Sequence, residues 1–256
     1  MAPQKHLDAG AQFMARTRYA HLTPSDQSKG EAPPDVAWTF GDAPRHPLPA
    51  PYALDLPPLD LADLITRRTS LRRYVETPLT LEELSCLLWC TQGVKQAQAH
   101  HTMRTVPSAG ARHPLETCLL ANRVAGLDPG LYGYAALDHE LALLQQGDDL
   151  PERLAAACHG QQFVRHAAAT FFWVAVPERT TWRYAERGYR YLHLDVGHVC
   201  QDLYLVAEAI GAGACAIAAF DDDALIDVLQ LDANQAFAIY VATVGKRPAG
   251  SAGGRQ

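Results

Sequence analysis

Residues 194–223, LDVGHVCQDLYLVAEAIGAGACAIAAFDDD, decide what kind of fold this chain can adopt. The first half reads as helix. Val196, Val199, Cys200, Leu203, Val206, Ala207 and Ile210 recur at intervals of three and four, with Asp195, His198, Gln201, Asp202 and Glu208 between them. So continuous an apolar stripe marks a central helix. The second half changes period: residues 215–218 form an apolar run of strand length, followed by Phe220 and three aspartates. Asp221 or Asp222 caps a further helix, and the remaining charges favour its first turn. Gly211, Gly213 and Ala216 spell G-x-G-x-x-A, which seats a dinucleotide only when a strand precedes it and a helix follows. Here the order is reversed, so Gly211 is read as the glycine that closes a helix.

The rest of the chain reads as mixed α and β. Residues 115–121, 170–176 and 237–244 are further apolar runs of strand length. Asp60 can cap a helix to about Arg67. Thr80 and Glu83 form a capping box before a helix to about Thr91. Ten of the 17 prolines fall in the first 58 residues, which excludes regular helix or central strand over most of that length. The expected organisation is a Pro-rich arm over 1–58, partly ordered against another surface, a folded domain over 59–247, and a flexible tail over 248–256.

Composition narrows the function. The 256 residues are 48% hydrophobic and 20% charged, with a formal net charge of -6. A mildly acidic chain without a Lys/Arg run argues against nucleic acid or an anionic membrane as partner. The longest apolar run, about 167–176, is half of the roughly 20 residues a membrane span requires. No signal-peptide core opens the chain, and the six cysteines are scattered without a C-x-x-C. The expectation is a cytoplasmic protein without structural disulfides. Cys86 and Cys90, four apart, read as small core residues on one helix face. His193 and His198 face different sides of a helix, so no metal site is expected.

Four stretches carry chemistry. In RRTSLRRY (67–74), an extended backbone would turn Arg68, Ser70 and Arg72 to one side, where two guanidinium forks and a hydroxyl suit a phosphate. A basic helix terminus in water explains the same residues equally well. In PSAGARHP (107–114), small residues between two prolines let main-chain amides approach a flat ligand, or simply make a turn. In AIAAFDDDAL (216–225), Ala218 and Ala219 leave backbone N–H groups uncovered at a strand end. In ERTTWRYAERGYRY (178–191), Arg179, Arg183 and Arg187 are spaced by four, as on one helix face. That face would be a substrate mouth of cations and phenols or, more simply, a solvated surface with weak ion pairs.

Taken in order with PLTLEELSCLLWCTQGV (78–94), GLYGY (130–134) and VGKR (244–247), these pieces resemble the nitroreductase family of flavoproteins. More narrowly they resemble its SagB-type branch, which includes azoline oxidases. The resemblance spans about 59–247 and implies an α+β fold, with a mixed, mainly antiparallel sheet flanked by helices and an intertwined homodimer holding FMN at its interface. It implies that Arg68, Ser70 and Arg72 seat the FMN phosphate and ribityl chain. Pro107, Ser108, Ala109 and Gly110 would lie along the flavin, Ala218 and Ala219 would offer backbone to N5 and the pyrimidine edge, and Lys246 and Arg247 would complete the phosphate site. Tyr184 and Arg183 would act on substrate. Many family members carry Glu-Gly in place of Ala218-Ala219, and azoline oxidases carry Lys-Tyr in place of Arg183-Tyr184. The implied activity is a ping-pong oxidoreductase using NAD(P)H and a small organic acceptor of nitro or quinone type. The alternatives are a SagB-type dehydrogenase reoxidised by oxygen and a catalytically silent binding or scaffold protein.

Overall fold

The computed structural model describes residues 8–249. In chain order the elements are α1 (Asp8–Arg16), α2 (Asp26–Lys29), β1 (Arg45–Pro47), α3 (Leu61–Arg67), α4 (Leu81–Gln92), β2 (Val94–Gln98), β3 (His101–Arg104), β4 (Leu115–Ala121), β5 (Gly130–Ala135), β6 (Glu140–Gln145), α5 (Leu150–Ala157), α6 (Phe163–His166), β7 (Ala169–Ala175), α7 (Glu178–Tyr184), α8 (Gly188–Ala209), β8 (Ala212–Ile217), α9 (Asp222–Leu229) and β9 (Phe237–Lys246).

A seven-stranded sheet runs in the order β1-β6-β5-β4-β7-β9-β8, each neighbouring pair antiparallel. Both faces are covered, so β4 from Cys118 onward and β7 from Phe171 onward are apolar on both sides rather than alternating. Leu119, Phe171 and Trp173 face the core shared with α4 and α8, while Leu120, Phe172 and Val174 face α5 and α9. A segment outside the ladder makes the sheet mixed: Ser70 bridges Ala214 of β8 in parallel.

The predicted caps are in place. Asp60 accepts from the N–H groups of Ala62 and Asp63 at the start of α3, and Thr80 and Glu83 close both halves of the capping box on α4. Gly211 has φ +67° after α8, and Asp221 caps α9. The expected strand at 215–218 is longer toward its N-terminus, because the small residues Ala212, Gly213 and Ala214 also pair with β9.

The Pro-rich arm is held along its length. Thr17, 2% exposed, receives Arg190 Nε on its hydroxyl at 2.6 Å and Arg187 Nη1 on its carbonyl at 2.9 Å. Trp182 donates to the Glu31 carbonyl, Arg179 to that of Asp35 and Arg104 to that of Val36. The arm thus runs along α7 and the start of α8, then delivers β1 to the sheet edge. Phe40 packs on Gly133 of β5, where any β-carbon would overlap its ring. No helix among the described residues is long and apolar enough to cross a membrane.

Candidate functional site

Beyond α3 the chain turns extended at Arg68, and the Leu71 N–H donates to the Ala214 carbonyl at 2.8 Å. Leu71 packs onto the bare Gly213, whose β-carbon would lie 2.6 Å from Leu71 Cδ2. The flanking residues therefore turn away from that contact. Ser70 Oγ lies 3.0 Å from the Tyr204 hydroxyl on α8, and the Arg68 guanidinium stacks 5.1 Å from the centre of the same ring. The Tyr204 hydroxyl also accepts from Ala216 N–H, which frees its proton for Ser70. Arg72 is exposed near Cys215: burial raises the thiol pKa, and Arg72 opposes that shift. Neither Arg68 nor Arg72 meets a carboxylate within ion-pair distance among the described residues.

Lys246 and Arg247 border the same strand but are engaged. Lys246 pairs with Glu83 and donates to the Ile210 carbonyl, while Arg247 pairs with Glu208 and donates to the Ala212 carbonyl at 2.7 Å.

The 107–114 loop is anchored from below by Asp195, 4% exposed on α8. Ser108 donates to one carboxylate oxygen at 2.6 Å and Ala109 N–H to the other at 3.2 Å, while His113 N–H donates to Ser108 Oγ. Burial raises the Asp195 pKa, and the bonds from Ser108 and Ala109 pull it back. Sequence reasoning missed this residue, because an aspartate between apolar helix positions looks like any solvent-facing one. Asp195→Ala leaves the half-buried Ser108 hydroxyl and Ala109 N–H without their acceptor, so it should cost about 1 kcal/mol in urea unfolding. Tyr204 and Asp195 stand nine residues apart on α8, roughly 13 Å along its axis.

Tyr184 and Arg183 meet this loop. Gly110 has φ +59°; a β-carbon there would overlap the Tyr184 hydroxyl and sit 3.1 Å from Arg183 Cδ and Nε. Tyr184 in turn packs edge-on against Tyr191 at 4.9 Å. The expected single helix face of Arg179, Arg183 and Arg187 is not formed. The chain breaks at Ala185 (φ +47°), and Arg187 lies in a short 3-10 turn. Arg179 is buried at 2% exposure and paired with Glu116 at 2.6 Å, so it is not a solvated charge.

Ala218 and Ala219 are exposed just beyond β8. Gln161 donates to the Ala219 carbonyl, and the N–H groups of both alanines have no partner among the described residues. The structure thus sets the 68–72 segment along β8 and the two alanines at its end. Asp195 links the 107–110 loop to the same α8 that carries Tyr204. A hollow of about 670 Å³ lined by Asn122, Arg123, Asp128, Glu152, Arg165 and His166 shares no residue with this cluster.

Residues 65–246 match the model of the nitroreductase family. The chain belongs to the nitroreductase family. A Methanocaldococcus jannaschii protein described as a nitroreductase, MJ1384, is 34% identical over 193 residues, covering 75% of this chain and 94% of its own. The trifolitoxin-processing protein TfxB of Rhizobium leguminosarum bv. trifolii is 29% identical over 140 residues, covering 53% of this chain and 38% of TfxB. A crystal structure from Anabaena variabilis, also described as a nitroreductase, superposes with a TM-score of 0.66 at 28% identity; it covers 82% of this chain, which spans 43% of that one. A Desulfovibrio desulfuricans structure in complex with FMN shares the fold, with a TM-score of 0.56 at 17% identity over 78% of this chain and 92% of that one.

This nitroreductase-family chain carries groups that fit FMN. Two arginines without carboxylate partners suit a phosphate. The spacing from Tyr204 to Asp195 suits an elongated ligand, and the loop and strand-end amides suit a flat polar ring.

Proposed function

We propose that the chain is an FMN-dependent oxidoreductase that works as a homodimer, taking an electron pair from NAD(P)H and passing it to a small organic acceptor in a ping-pong cycle. The observation that carries this reading is the convergence of Arg68, Ser70 and Tyr204 on one end of α8 and the Asp195-anchored loop on the other. Bound there, FMN supplies a hydride acceptor and donor at N5. The chain's own groups do the rest. Arg68 and Arg72 neutralise the phosphate, and Ser70 adds a hydroxyl. The unpaired N–H groups of Ala218 and Ala219 donate to the ring's polar edge. Tyr184, beside Gly110, offers a proton to the acceptor, and Arg183 orients it.

The dimer has support in the outer surface. His193, Leu194, Gly197, His198 and Gln201 form an exposed strip on α8, and Leu194 is 60% exposed. Leu61 and Ile65 of α3, which packs on α8, are 61% and 53% exposed. Apolar side chains grouped in this way suit burial by a second copy.

The similarity to TfxB favours a second reading, in which a SagB-type dehydrogenase oxidises its substrate and oxygen takes the electrons. Arg183 counts against azoline chemistry, since a guanidinium does not serve as a base. The two readings separate on anaerobic mixing of the FMN-loaded protein with NADH or NADPH. Bleaching of the flavin band, followed by recolouring on addition of a quinone, is expected for the first. A band left unchanged by both nicotinamides contradicts it and favours the second.

A further inference from the structure

The region around Gly110 carries more positive charge than it neutralises. Arg104, Arg112, Arg179 and Arg183 gather there against two carboxylates: Glu116, taken up by Arg179 and by the Trp38 N–H, and Asp195, held by Ser108 and the Ala109 N–H. Arg104 is satisfied by Gln92 and by the carbonyls of Leu115 and Val36. Arg187 and Arg190 are occupied by the arm at Thr17. Two guanidinium groups are left. Arg112 donates Nε to the Arg179 carbonyl and Nη1 to that of His100, and stacks on Trp182 at 4.8 Å, which leaves Nη2 without a partner among the described residues. Arg183 lies against the Tyr184 ring at 5.6 Å and forms neither ion pair nor hydrogen bond among those residues. Glu178 and Glu186, on the same stretch, form no ion pair there either.

The uncompensated charge registers in its neighbours. Arg112 is held below the usual arginine range by burial, then by Arg183 and Arg179. The His113 ring is pushed down to about 3 by burial and by Arg104 and Arg112, so it stays neutral and adds no further cation. A partly desolvated cluster of this kind strengthens any anion it meets, because the effective dielectric is low and the repulsion among cations is relieved. A guanidinium fork matches a planar carboxylate.

We infer that Arg183 and Arg112 form a subsite for a carboxylate, so that the molecules reduced or oxidised here are flat, unsaturated compounds carrying a carboxylate group. This rests on the reading that Gly110 borders the flavin, since that places the two arginines beside the reacting ring. The position of Arg183, with Nε 3.1 Å from where a Gly110 β-carbon would stand, sets the anion at the loop rather than in bulk water.

Calorimetric titration of the FMN-loaded protein with 4-nitrobenzoate and with uncharged 4-nitrobenzamide tests this. The acid is expected to bind at least tenfold more tightly at low ionic strength, the margin shrinking with salt. Arg183→Gln should cut that preference at least threefold while Arg183→Lys, which keeps the charge, retains most of it. Equal affinity for acid and amide, or a preference untouched by Arg183→Gln, overturns the inference. The heat reports binding whether or not flavin is bound, and the flavin absorbance of the same sample reports the cofactor separately. Acid preference in a protein that retains no FMN after saturation would uphold the anion subsite and sink the flavoenzyme reading, and with it the redox role of the bound acid. A loaded sample without acid preference would do the reverse.

Discussion

Glu116→Ala is expected to lower the free energy of unfolding by about 3–5 kcal/mol, the range for removing one partner of a buried ion pair. Glu116 and Arg179 are each 2% exposed, and the same carboxylate oxygen accepts Arg179 Nη2 at 2.6 Å and Trp38 N–H at 2.8 Å. Its loss strands the Arg179 cation beside Arg104, whose pKa burial already lowers to about 10 even with Glu116 opposing that shift. The arm should loosen with it, since Trp38 N–H then has no acceptor. Urea unfolding followed by circular dichroism measures the first effect, and proteolysis within 31–40 measures the second. The double variant Glu116→Ala/Arg179→Met removes the stranded charge and should recover a large part of the loss. A change below about 1 kcal/mol for the single variant would show that the pair does not hold the arm.

Replacing Arg68 and Arg72 with alanine is expected to weaken FMN binding by a factor of about 100 or more. Each charge-assisted contact to a phosphate contributes about 1.5–3 kcal/mol, and every 1.4 kcal/mol is tenfold in affinity. The fold should persist, because Arg72 is exposed and Arg68 half-buried, with no ion pair to either among the described residues. Quenching of FMN fluorescence on titration gives the affinities, and the far-ultraviolet spectrum controls for folding. An affinity within a few-fold of the parent protein would move the phosphate to other residues. Lys246 and Arg247 would then be the first candidates, although Glu83 and Glu208 hold them.

Local signals in the sequence were read well where one short stretch contains both halves of an interaction. The Asp60 cap, the Thr80–Glu83 box and the closing Gly211 all lie within a few residues of what they satisfy, and each stands where the pattern puts it. Strand β4 was legible because residues 118–121 are apolar on both faces, although Glu116 and Thr117 interrupt its first half. Strands β5 and β6 were not, since GLYGY looks like a turn until Phe40, 93 positions before Gly133, is seen to need the space that glycine leaves.

The site divides in the same way. The alternation of Arg68, Ser70 and Arg72 fitted an extended segment and a basic helix terminus equally well; the chain leaves α3 at Arg68, and the bridge from Ser70 to Ala214 makes the stretch beyond it extended. Spacing by four misled at Arg179, Arg183 and Arg187, because a helix period cannot reveal the break at Ala185 or the carboxylate waiting in β4. Asp195 was invisible for a related reason: its partners Ser108 and Ala109 lie more than 80 positions away. Buried polar residues are the hardest to read from one chain, since the pattern that marks them as exceptions exists only once distant segments meet.

The yellow cofactor is the feature on which the proposed activity depends. The most direct measurement is the visible spectrum of the purified chain, before and after saturation with FMN and removal of the excess, together with its mass in solution. One FMN per chain in a particle of two chains is the predicted result. A colourless protein that retains no flavin would contradict it.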